Sequence, residues 1–371
     1  SMDHHQIEKK IVMNRQIIEY KSSRLDAYAK IRTNLYEKPK LRQLFLELTL
    51  RCNEHCFHCG SKCDGSYEDH VSFDEYKQLI DEVKENFGCK DILFCITGGE
   101  PLLRKDFFEI VDYIHTSGFK WGMTTNGTLI TKEISRKLKE AGMSTVSISI
   151  DGLEQTHDRQ RGLKGGYRKA MEGIQNLIDE DCFEAIQVTT VFNHSNMHEM
   201  DELYNIFLNM DIDSWRVIGI EPIGRALEHE DLLLTPDDQR KLFSFIKSKR
   251  EENMPICYGC SHYLGLEYER DVRDWYFLCG AGTFVASIDA DGDIRACLDI
   301  EKSDRTIQGN IKKASFTDIW NNKFTLFRKN LSVMCESCKG CTHEKWCAGG
   351  SHHSYDYDKN EQRICFKDIL F

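Results

Sequence analysis

Short apolar runs alternate with helical patterns along the first two thirds of this chain, and this alternation limits its fold more than any other feature. Six runs read as strands: Leu44 to Leu50, Asp91 to Thr97, Lys120 to Asn126, Ser144 to Ile150, Ala185 to Val191 and Ser214 to Ile220. Six further segments have helical spacing: Phe73 to Phe87, Phe107 to His115, Lys132 to Ala141, Tyr167 to Ile178, Met197 to Met210 and Thr235 to Arg250. Repeated strand–helix units predict an α/β fold with a parallel sheet, either an incomplete barrel or a doubly wound sheet. In both architectures ligands bind at the carboxyl ends of the strands.

Sixteen cysteines among 371 residues are the unusual feature of the composition. No apolar stretch approaches the roughly 18 residues of a membrane span, and the first ten residues lack the apolar region of a secretory signal. We therefore expect a soluble, cytoplasmic protein without a membrane partner, whose cysteines bind metal rather than form disulfides. The net charge of −11 argues against a nucleic-acid partner, because phosphate backbones attract basic surfaces.

Three cysteines follow the first predicted strand with the spacing Cys52-x3-Cys56-x2-Cys59. A cubane iron–sulfur cluster has four irons, so three thiolates leave one iron without a protein ligand. Such an open position is where chemistry can occur, as in catalytic zinc sites. A structural zinc site with Cys63 or His58 as its fourth ligand fits the same spacing, and a disulfide pair is a further alternative.

The ends of the next three predicted strands also carry polar or glycine-containing sequences: Thr97-Gly98-Gly99-Glu100-Pro101, Thr125-Asn126-Gly127 and Ser147 to Gly152. Together with the cysteine triad, this arrangement resembles the radical S-adenosylmethionine (SAM) superfamily over most of the chain. The resemblance implies a partial (β/α)6 barrel in which Cys52, Cys56 and Cys59 hold a [4Fe-4S] cluster. In that family SAM binds the open iron, and an electron from the cluster cleaves it to methionine and a 5′-deoxyadenosyl radical.

The resemblance also implies a SAM pocket. The pocket residues it suggests are His58, Thr97, Gly98, Gly99, Glu100, Asn126, Ser149 and Arg161. The glycines would admit the ligand close to the backbone, while Glu100 and the Thr97 carbonyl would accept hydrogen bonds from the SAM ammonium. Ser149 and Arg161 would hold its carboxylate, His58 would contact adenine, and Asn126 would lie near the ribose.

Each of these residues also has a plainer interpretation. The Gly-Gly-Glu-Pro sequence can be a strand-to-loop turn, His58 a polar loop residue, and Arg161 a solvated charge. The segment Glu221-Pro222-Ile223-Gly224-Arg225, at the end of the sixth strand, could line the pocket or form a loop with a surface arginine.

A second group of cysteines lies near the carboxyl terminus. It has the pattern Cys279-x12-Gly292-x4-Cys297, Cys338-x2-Cys341-x5-Cys347, then Cys365. This pattern resembles the SPASM extension, which binds auxiliary iron–sulfur clusters; a two-zinc ribbon is the structural alternative. By this resemblance the outer cluster is held by Cys338, Cys341, Cys347 and Cys365. Within the extension, Asp291-Gly292 predicts a hairpin turn between Thr283 to Ile288 and Asp293 to Cys297.

The inner cluster of that pattern lacks one cysteine, because Ser351 stands where the family has a ligand, and hydroxyls bind clusters poorly compared with thiolates. Cys279 and Cys297 therefore need other partners. Three cysteines are available, Cys257, Cys260 and Cys335, and the pair Cys257 and Cys260 is favoured. His352 and His353 are weaker candidates, because exposed histidine pairs are usually solvated. Three remaining cysteines, Cys89, Cys95 and Cys182, are expected to be buried apolar residues.

These observations predict three segments: a charged, helical extension at 1–43, a radical SAM barrel at 44–250 and a SPASM domain at 251–371. The resemblance implies an oxidoreductase that modifies a peptide or protein by cross-linking, epimerisation or side-chain oxidation, as in the maturation of ribosomally made peptides. It also implies a substrate leader and an external low-potential electron donor of the flavodoxin or ferredoxin type. Leu298 stands where sulfatase-maturing relatives have Asp, with Asp299 one residue later, which disfavours that subtype. A small-molecule oxidase of haem-pathway or aminoglycoside type, or a noncatalytic iron–sulfur or zinc protein, remains an alternative.

Overall fold

A computed structural model describes residues 4–63 and 65–371 of the protein. Its helices are α1 His4–Glu37, α2 Phe73–Phe87, α3 Phe107–Thr116, α4 Lys132–Glu140, α5 Glu154–Arg161, α6 Gly166–Glu180, α7 Met200–Leu208, α8 Pro236–Glu251, α9 Gly265–Tyr268, α10 Phe316–Asn322 and α11 Glu344–Cys347. Its strands are β1 Gln43–Glu47, β2 Leu93–Thr97, β3 Lys120–Thr125, β4 Thr145–Ser149, β5 Ala185–Phe192, β6 Ser214–Gly219, β7 Ile256–Tyr258, β8 Val285–Ile288, β9 Asp293–Arg295, β10 Gly309–Asn310, β11 Tyr355–Asp356 and β12 Glu361–Gln362. No described helix combines the length and apolar character needed to cross a membrane.

The first six strands form the centre of one sheet and lie side by side in chain order, all parallel. This confirms the predicted α/β class and the six strand–helix units. The helices bury their apolar faces against one side of the sheet, as the packing of Trp215 on Phe207 at 5.1 Å and on Phe245 at 6.1 Å between ring centroids shows. The carboxyl ends of the six strands therefore meet at one edge.

The segment after residue 250 extends the same sheet at both of its edges. Strand β7 pairs in parallel with β6, while β8 pairs in parallel with β1 and in antiparallel fashion with β9. The predicted hairpin around Asp291-Gly292 is therefore present, and it places the cysteine-rich segment beside the first strand. The division of the chain at residue 250 stays a prediction, since backbone pairing continues across it.

Two helices differ from the sequence-based expectation. Helix α1 is a single helix of 34 residues, whose second half packs on the carboxyl-terminal segment through Leu25 and through a hydrogen bond from Arg32 to the carbonyl of Trp346. Helix α5 had no predicted counterpart, because its buried side is polar and formed by His157, Gln160 and Arg161. Apolar periodicity cannot reveal a helix of this kind.

Candidate functional site

The three clustered cysteines lie on the loop between β1 and α2, at the carboxyl edge of the sheet. Backbone amides point at two of the sulfurs: the amide of Glu54 lies 3.4 Å from Cys52 Sγ, and that of Cys63 lies 3.3 Å from Cys59 Sγ. The end of α5 holds the middle of the loop, because its Arg161 carbonyl accepts a 2.8 Å hydrogen bond from the amide of His55. Amide donors aimed at sulfur favour the thiolate, which is the form that binds iron.

Arg225, in the segment that follows β6, supports the same loop. It is 7% exposed, and it donates hydrogen bonds to the carbonyls of Cys56 at 2.6 Å and Cys63 at 2.7 Å. Its neighbour Gly224 has φ +54°, and a Cβ there would lie 2.3 Å from the carbonyl oxygen of Cys59. A glycine is therefore needed where the two backbones meet. The interpretation of this segment as a loop with a surface arginine is wrong.

The sulfur arrangement fits a cluster better than a single zinc ion. Tetrahedral zinc with Zn–S bonds of about 2.3 Å holds its sulfurs about 3.8 Å apart, whereas no set of three ligand atoms around the triad of Cys52, Cys56 and Cys59 lies mutually within 4.8 Å in the described chain. The zinc interpretation needed Cys63 or His58 as its fourth ligand. His58 faces Asp151 at 3.5 Å, whereas the Cys63 thiol is hydrogen-bonded to Cys59. Three sulfurs that are farther apart than zinc ligands can instead bind the larger core of an iron–sulfur cluster.

The thiols of this loop differ in acidity. Hydrogen bonds, first from the Cys63 thiol, lower the pKa of Cys59 to about 5, although burial opposes the shift. Burial raises the pKa of Cys52 to about 11, and the pKa of Cys56 is raised for the same reason. Buried neutral thiols release protons when they bind iron, so occupation of the loop is expected to be coupled to proton release.

Gly98 and Gly99 bring the end of β2 against the loop that precedes Cys52. A Cβ on Gly99 would lie 2.0 Å from the carbonyl oxygen of Arg51, and one on Gly98 would lie 2.8 Å from that of Thr49. The amide of Gly99 donates to Thr49 at 2.9 Å. These glycines thus let the end of β2 approach the segment 49–51 of the same chain. This contact fixes the position of Cys52, which follows that segment.

Glu100 is bonded within the protein at every side-chain oxygen. It is 1% exposed, accepts from the Thr125 hydroxyl at 2.8 Å and from the Asn126 amide at 2.8 Å, and also accepts from the amide of Leu102 at 3.3 Å. Burial raises its pKa to about 7. The residue therefore joins the ends of β2 and β3, and its suggested contact with a SAM ammonium stays a prediction.

Asn126 lies beside the first cysteine. Its side-chain nitrogen is 4.0 Å from Cys52 Sγ and donates to Asn53 at 2.7 Å. The ends of β2 and β3 thus converge on Cys52. Two other predicted pocket residues are the last residues of their strands. Thr97 ends β2, and its carbonyl accepts a hydrogen bond from the Leu48 amide at 2.9 Å. Ser149 ends β4 and is half-buried.

Arg161 lies between two carboxylates rather than in solvent. Its Nε donates to Glu54 and its Nη1 to Asp151, each at 2.6 Å, and both carboxylates are buried. Asp151 also lies 3.5 Å from His58 Nε2. Burial lowers the pKa of His58, although the charge of Asp151 opposes this shift. The interpretation of Arg161 as a solvated charge is wrong. Its contact with a SAM carboxylate stays a prediction, since two of its nitrogens already bind this chain.

The four cysteines assigned to the outer auxiliary cluster lie together. The thiol of Cys347 interacts electrostatically with those of Cys341 and Cys365, and that of Cys338 interacts with those of Cys347 and Cys365. Cys335 belongs beside this set, because its thiol is hydrogen-bonded to Cys338. The structure therefore does not bring Cys335 to the inner pair.

The inner pair, Cys279 and Cys297, also lies together. Ser351 is completely buried, and no described residue forms a hydrogen bond with its hydroxyl. The His352 amide bonds to the Cys279 sulfur, which places Ser351 next to this pair. Burial of a hydroxyl without a hydrogen-bond partner costs folding free energy. The space between Ser351, Cys279 and Cys297 therefore suits a bound group that contacts this hydroxyl.

The histidines after Ser351 are not solvated, contrary to expectation. His352 is 4% exposed and shares a hydrogen bond with Tyr357, while His353 lies beside Glu221. The expectation for Cys182 is also wrong, because it is exposed, whereas Cys89 and Cys95 are partly buried.

Cys257 and Cys260 have different surroundings. Cys257 lies in β7 opposite Arg216, and its electrostatic neighbours are the charged side chains of Arg216, Arg250 and Asp274. Cys260 instead lies with Glu221 and two histidines. The two cysteines are therefore not a common donor pair, and Cys257 is not brought to Cys279 and Cys297.

A cavity of about 340 Å³ opens between the cysteine loop and the β8–β9 hairpin. Its wall includes the loop residues 60–62, the end of β6 and the segment 298–302. Asp299 lies on this wall, with its carboxylate 3.5 Å from where a Cβ of Gly60 would be. The volume is within the range of about 300–1,000 Å³ found for ligand pockets.

Several residues that shape the site were not assigned a role from the sequence. Glu54 and Asp151 bind Arg161, and Asn53 binds Asn126. Arg104 is 4% exposed and donates to the carbonyls of Leu48 and Val71. Only the position of Glu54 and Asn53 inside the cysteine loop could have drawn attention to them; the other partners are distant in sequence.

Comparisons with known proteins agree with this geometry. Residues 46–207 match the profile of the Radical SAM superfamily, and residues 279–342 match SPASM, an iron-sulfur cluster-binding domain. The AdoMet-dependent heme synthase of Methanosarcina barkeri is 30% identical in an alignment of length 348 that covers 88% of this chain and 97% of the relative. The mycofactocin maturase MftC of Mycolicibacterium smegmatis is 31% identical over 82% of this chain and 76% of its own length.

Among solved structures, native anSMEcpe with bound AdoMet and the Cp18Cys peptide has the same fold. It superposes with a TM-score of 0.69 at 21% identity, covering 89% of this chain and 94% of that one. AdoMet is another name for SAM. This likeness confirms the α/β architecture, with the cysteine-rich segment at its carboxyl end.

Proposed function

Since this chain belongs to the radical SAM superfamily and carries a SPASM domain, we propose that it is an oxidoreductase that modifies a peptide or protein substrate. Radical SAM and SPASM domains bind iron–sulfur clusters, and members of the superfamily catalyse oxidative radical reactions. The proposal assigns the SAM-binding cluster to Cys52, Cys56 and Cys59, and an auxiliary cluster to Cys338, Cys341, Cys347 and Cys365. Bound in these places, the clusters and SAM would supply a radical that removes a hydrogen atom from the substrate and an acceptor for the surplus electron.

The chain's own residues contribute position and proton transfer. Arg225 and the end of α5 hold the cysteine loop against the strand ends. When a substrate carbon loses a hydrogen atom to the radical and then an electron to the auxiliary cluster, a neutral product forms only if a neighbouring O–H, N–H, S–H or C–H bond of the substrate releases a proton. Asp299 is the residue we propose to accept it, because it lies on the cavity wall with its carboxylate facing Gly60 of the cysteine loop.

The charge of the cavity supports a peptide rather than a polycarboxylate. Each of the four cations on its wall is already paired with an acid: Lys62 with Glu228, Arg295 with Asp289, Lys302 with three aspartates and Arg363 with Glu301. A substrate with several carboxylates would find no unpaired cation in the described wall and would meet Asp299. A peptide, with neutral backbone donors, avoids this repulsion. This pairing is the observation that carries the substrate class.

The proposal is tested by anaerobic assay of the reconstituted, reduced protein with SAM. Candidate precursor peptides encoded beside the gene and iron-coproporphyrin are supplied separately, and 5′-deoxyadenosine and substrate mass are measured. We expect 5′-deoxyadenosine to rise with a peptide, together with a loss of hydrogen mass from that peptide. Modification of iron-coproporphyrin alone would overturn the peptide assignment. We also propose that a flavodoxin or ferredoxin supplies the low-potential electron. A second series of assays therefore uses such a protein in place of the chemical reductant.

A haem-pathway oxidase is the second candidate, and one observation favours it. The chain aligns with 97% of the AdoMet-dependent heme synthase, against 76% of the mycofactocin maturase. The Asp299→Asn variant separates the candidates. If the substrate is a tetracarboxylate tetrapyrrole, removal of this charge should strengthen binding, whereas peptide oxidation should be slowed because the proton acceptor is lost.

A further inference from the structure

Four metal-ligating side chains converge where the barrel meets the cysteine-rich segment, outside both cysteine sets described above. They are Glu221, Cys260, His262 and His353, and one ligand atom from each lies within 4.8 Å of all the others. Glu221 follows β6, Cys260 and His262 follow β7, and His353 comes from the segment between Cys347 and Cys365. Three separate parts of the chain thus supply one compact group.

The bonding within this group is incomplete. Oε1 of Glu221 lies 2.7 Å from His262 Nε2 and 3.6 Å from His353 Nε2. The other carboxylate oxygen of Glu221 and Nε2 of His353 are buried, and neither has a hydrogen-bond partner among the described residues. His353 is 9% exposed, so an unpartnered polar atom of a largely buried ring is aimed into the group. Such atoms are costly unless a ligand binds them.

We propose that Glu221, Cys260, His262 and His353 bind a single divalent transition-metal ion, with zinc as the preferred occupant. One thiolate, two imidazoles and one carboxylate are the donor types that zinc uses, and four protein ligands form a closed site. The donors lie close enough for one ion, unlike the more widely spread sulfurs of the cysteine triad. The site would join the segments that follow β6 and β7 to the segment between Cys347 and Cys365, and it does not depend on the proposed substrate.

The proposal reassigns Cys260, which would otherwise be available to an inner iron–sulfur cluster. Cys335 lies beside the outer set, and Cys257 lies among charged side chains. Among the described residues, the inner site is thus left with the two thiolates of Cys279 and Cys297. A cubane bound through Cys260 would need that sulfur to face this pair. Its position among Glu221 and the two histidines instead favours a single ion.

The experiment uses the full-length protein with its iron–sulfur clusters assembled anaerobically and excess metal removed. It is titrated with Co²⁺, whose thiolate complexes absorb through charge transfer, and then with Zn²⁺ as competitor. We expect about one Co²⁺ per chain with a thiolate band that Zn²⁺ abolishes. The band should disappear in Cys260→Ser, and His353→Gln should weaken Co²⁺ binding at least tenfold, as loss of a metal-site partner commonly does. Iron and sulfide contents should stay unchanged in both variants.

The control is Cys182→Ser, which removes an exposed thiol elsewhere and should leave the titration unchanged. Absence of Co²⁺ and Zn²⁺ binding by the unmodified protein would overturn the proposal. So would unaltered Co²⁺ affinity in His353→Gln, a variant that keeps Cys260. Equal losses of iron and sulfide in Cys260→Ser, with its helical circular dichroism preserved, would instead make Cys260 a cluster ligand and overturn it as well.

Discussion

Arg225 donates a 2.6 Å hydrogen bond to the carbonyl oxygen of Cys56, across 169 residues of sequence. A second bond from the same guanidinium reaches the carbonyl of Cys63 at 2.7 Å. The segment that follows the sixth strand therefore clamps the loop that carries the cysteine triad. Because an arginine can bind two carbonyls at once, it holds the loop more firmly than a single donor could.

Replacement of Arg225 by alanine is predicted to loosen the cysteine loop. Loss of two hydrogen bonds from a charged donor should lower the free energy of unfolding by about 3–6 kcal/mol, at about 1.5–3 kcal/mol for each such bond. Iron retention after gel filtration should fall, and Arg225→Lys should be intermediate. Arg240→Ala is the matched control, because this exposed arginine also donates to two carbonyls. Equal iron retention in Arg225→Ala and Arg240→Ala would contradict the clamp.

Replacement of Gly99 by alanine is predicted to displace Cys52. The new Cβ would lie 2.0 Å from the carbonyl oxygen of Arg51, so the loop before Cys52 must move. Overpacking of this kind costs about 1–3 kcal/mol, and iron in the first cluster should fall with it. Gly65→Ala is the control, since a Cβ there meets nothing within 4 Å. Thermal unfolding and iron analysis give the two readouts, and an unperturbed Gly99→Ala would refute the steric argument.

Removal of Arg161 is predicted to leave two buried carboxylates unpaired. Breaking a buried ion pair on one side costs about 3–5 kcal/mol, so Arg161→Met should unfold at much lower denaturant concentration. Neutralising its partners in the triple variant Arg161→Met, Glu54→Gln and Asp151→Asn should recover part of that loss. Arg159→Met, at an exposed neighbouring position, should be nearly silent. A triple variant no more stable than Arg161→Met would show that the pairing is not the cause.

The stability of the site is predicted to fall between about pH 4.5 and 7 because of Glu100. Burial raises its pKa from 4.5 to about 7, so the folded state binds the proton more tightly than the unfolded state. The contribution is fully present below the unfolded pKa and is lost as pH rises through the folded pKa, by at most about 3 kcal/mol. Glu100→Gln, which cannot ionise, should lack this slope, while the exposed Glu172→Gln should keep it. Denaturant unfolding at pH 5 and pH 8 measures the difference, and equal slopes for Glu100→Gln and the unmodified protein would contradict it.

Local sequence signals predicted the strands of the sheet and most of the helices between them. Helix α2 begins and ends at the predicted residues, because a capping box between Ser72 and Glu75 starts it and Gly88 ends it. These signals act within a few residues. Helix α5 escaped prediction because its buried face is polar, and its stability depends on contacts with the cysteine loop that no local pattern records.

The site was predictable only where its residues are neighbours in sequence. The spacing of Cys52, Cys56 and Cys59 left zinc open, and the prediction of a cluster loop also needed the polar ends of the next strands and the family resemblance. The same kind of resemblance implied the grouping of the outer tail cysteines. The clamp by Arg225 and the separate surroundings of Cys257 and Cys260 depend on how β6 and β7 lie beside the tail. Such contacts arise from tertiary packing and leave no periodic trace in the chain.

The central claim is that SAM binds the iron left open by Cys52, Cys56 and Cys59. Its most direct test is electron–nuclear double resonance of the reduced, cluster-loaded protein with SAM labelled by a magnetic isotope in its carboxylate. We predict a coupling between the label and the reduced cluster that is lost in Cys56→Ser. If the unmodified protein, with its reduced clusters visible, shows no coupling and no spectral change on addition of SAM, the account is contradicted.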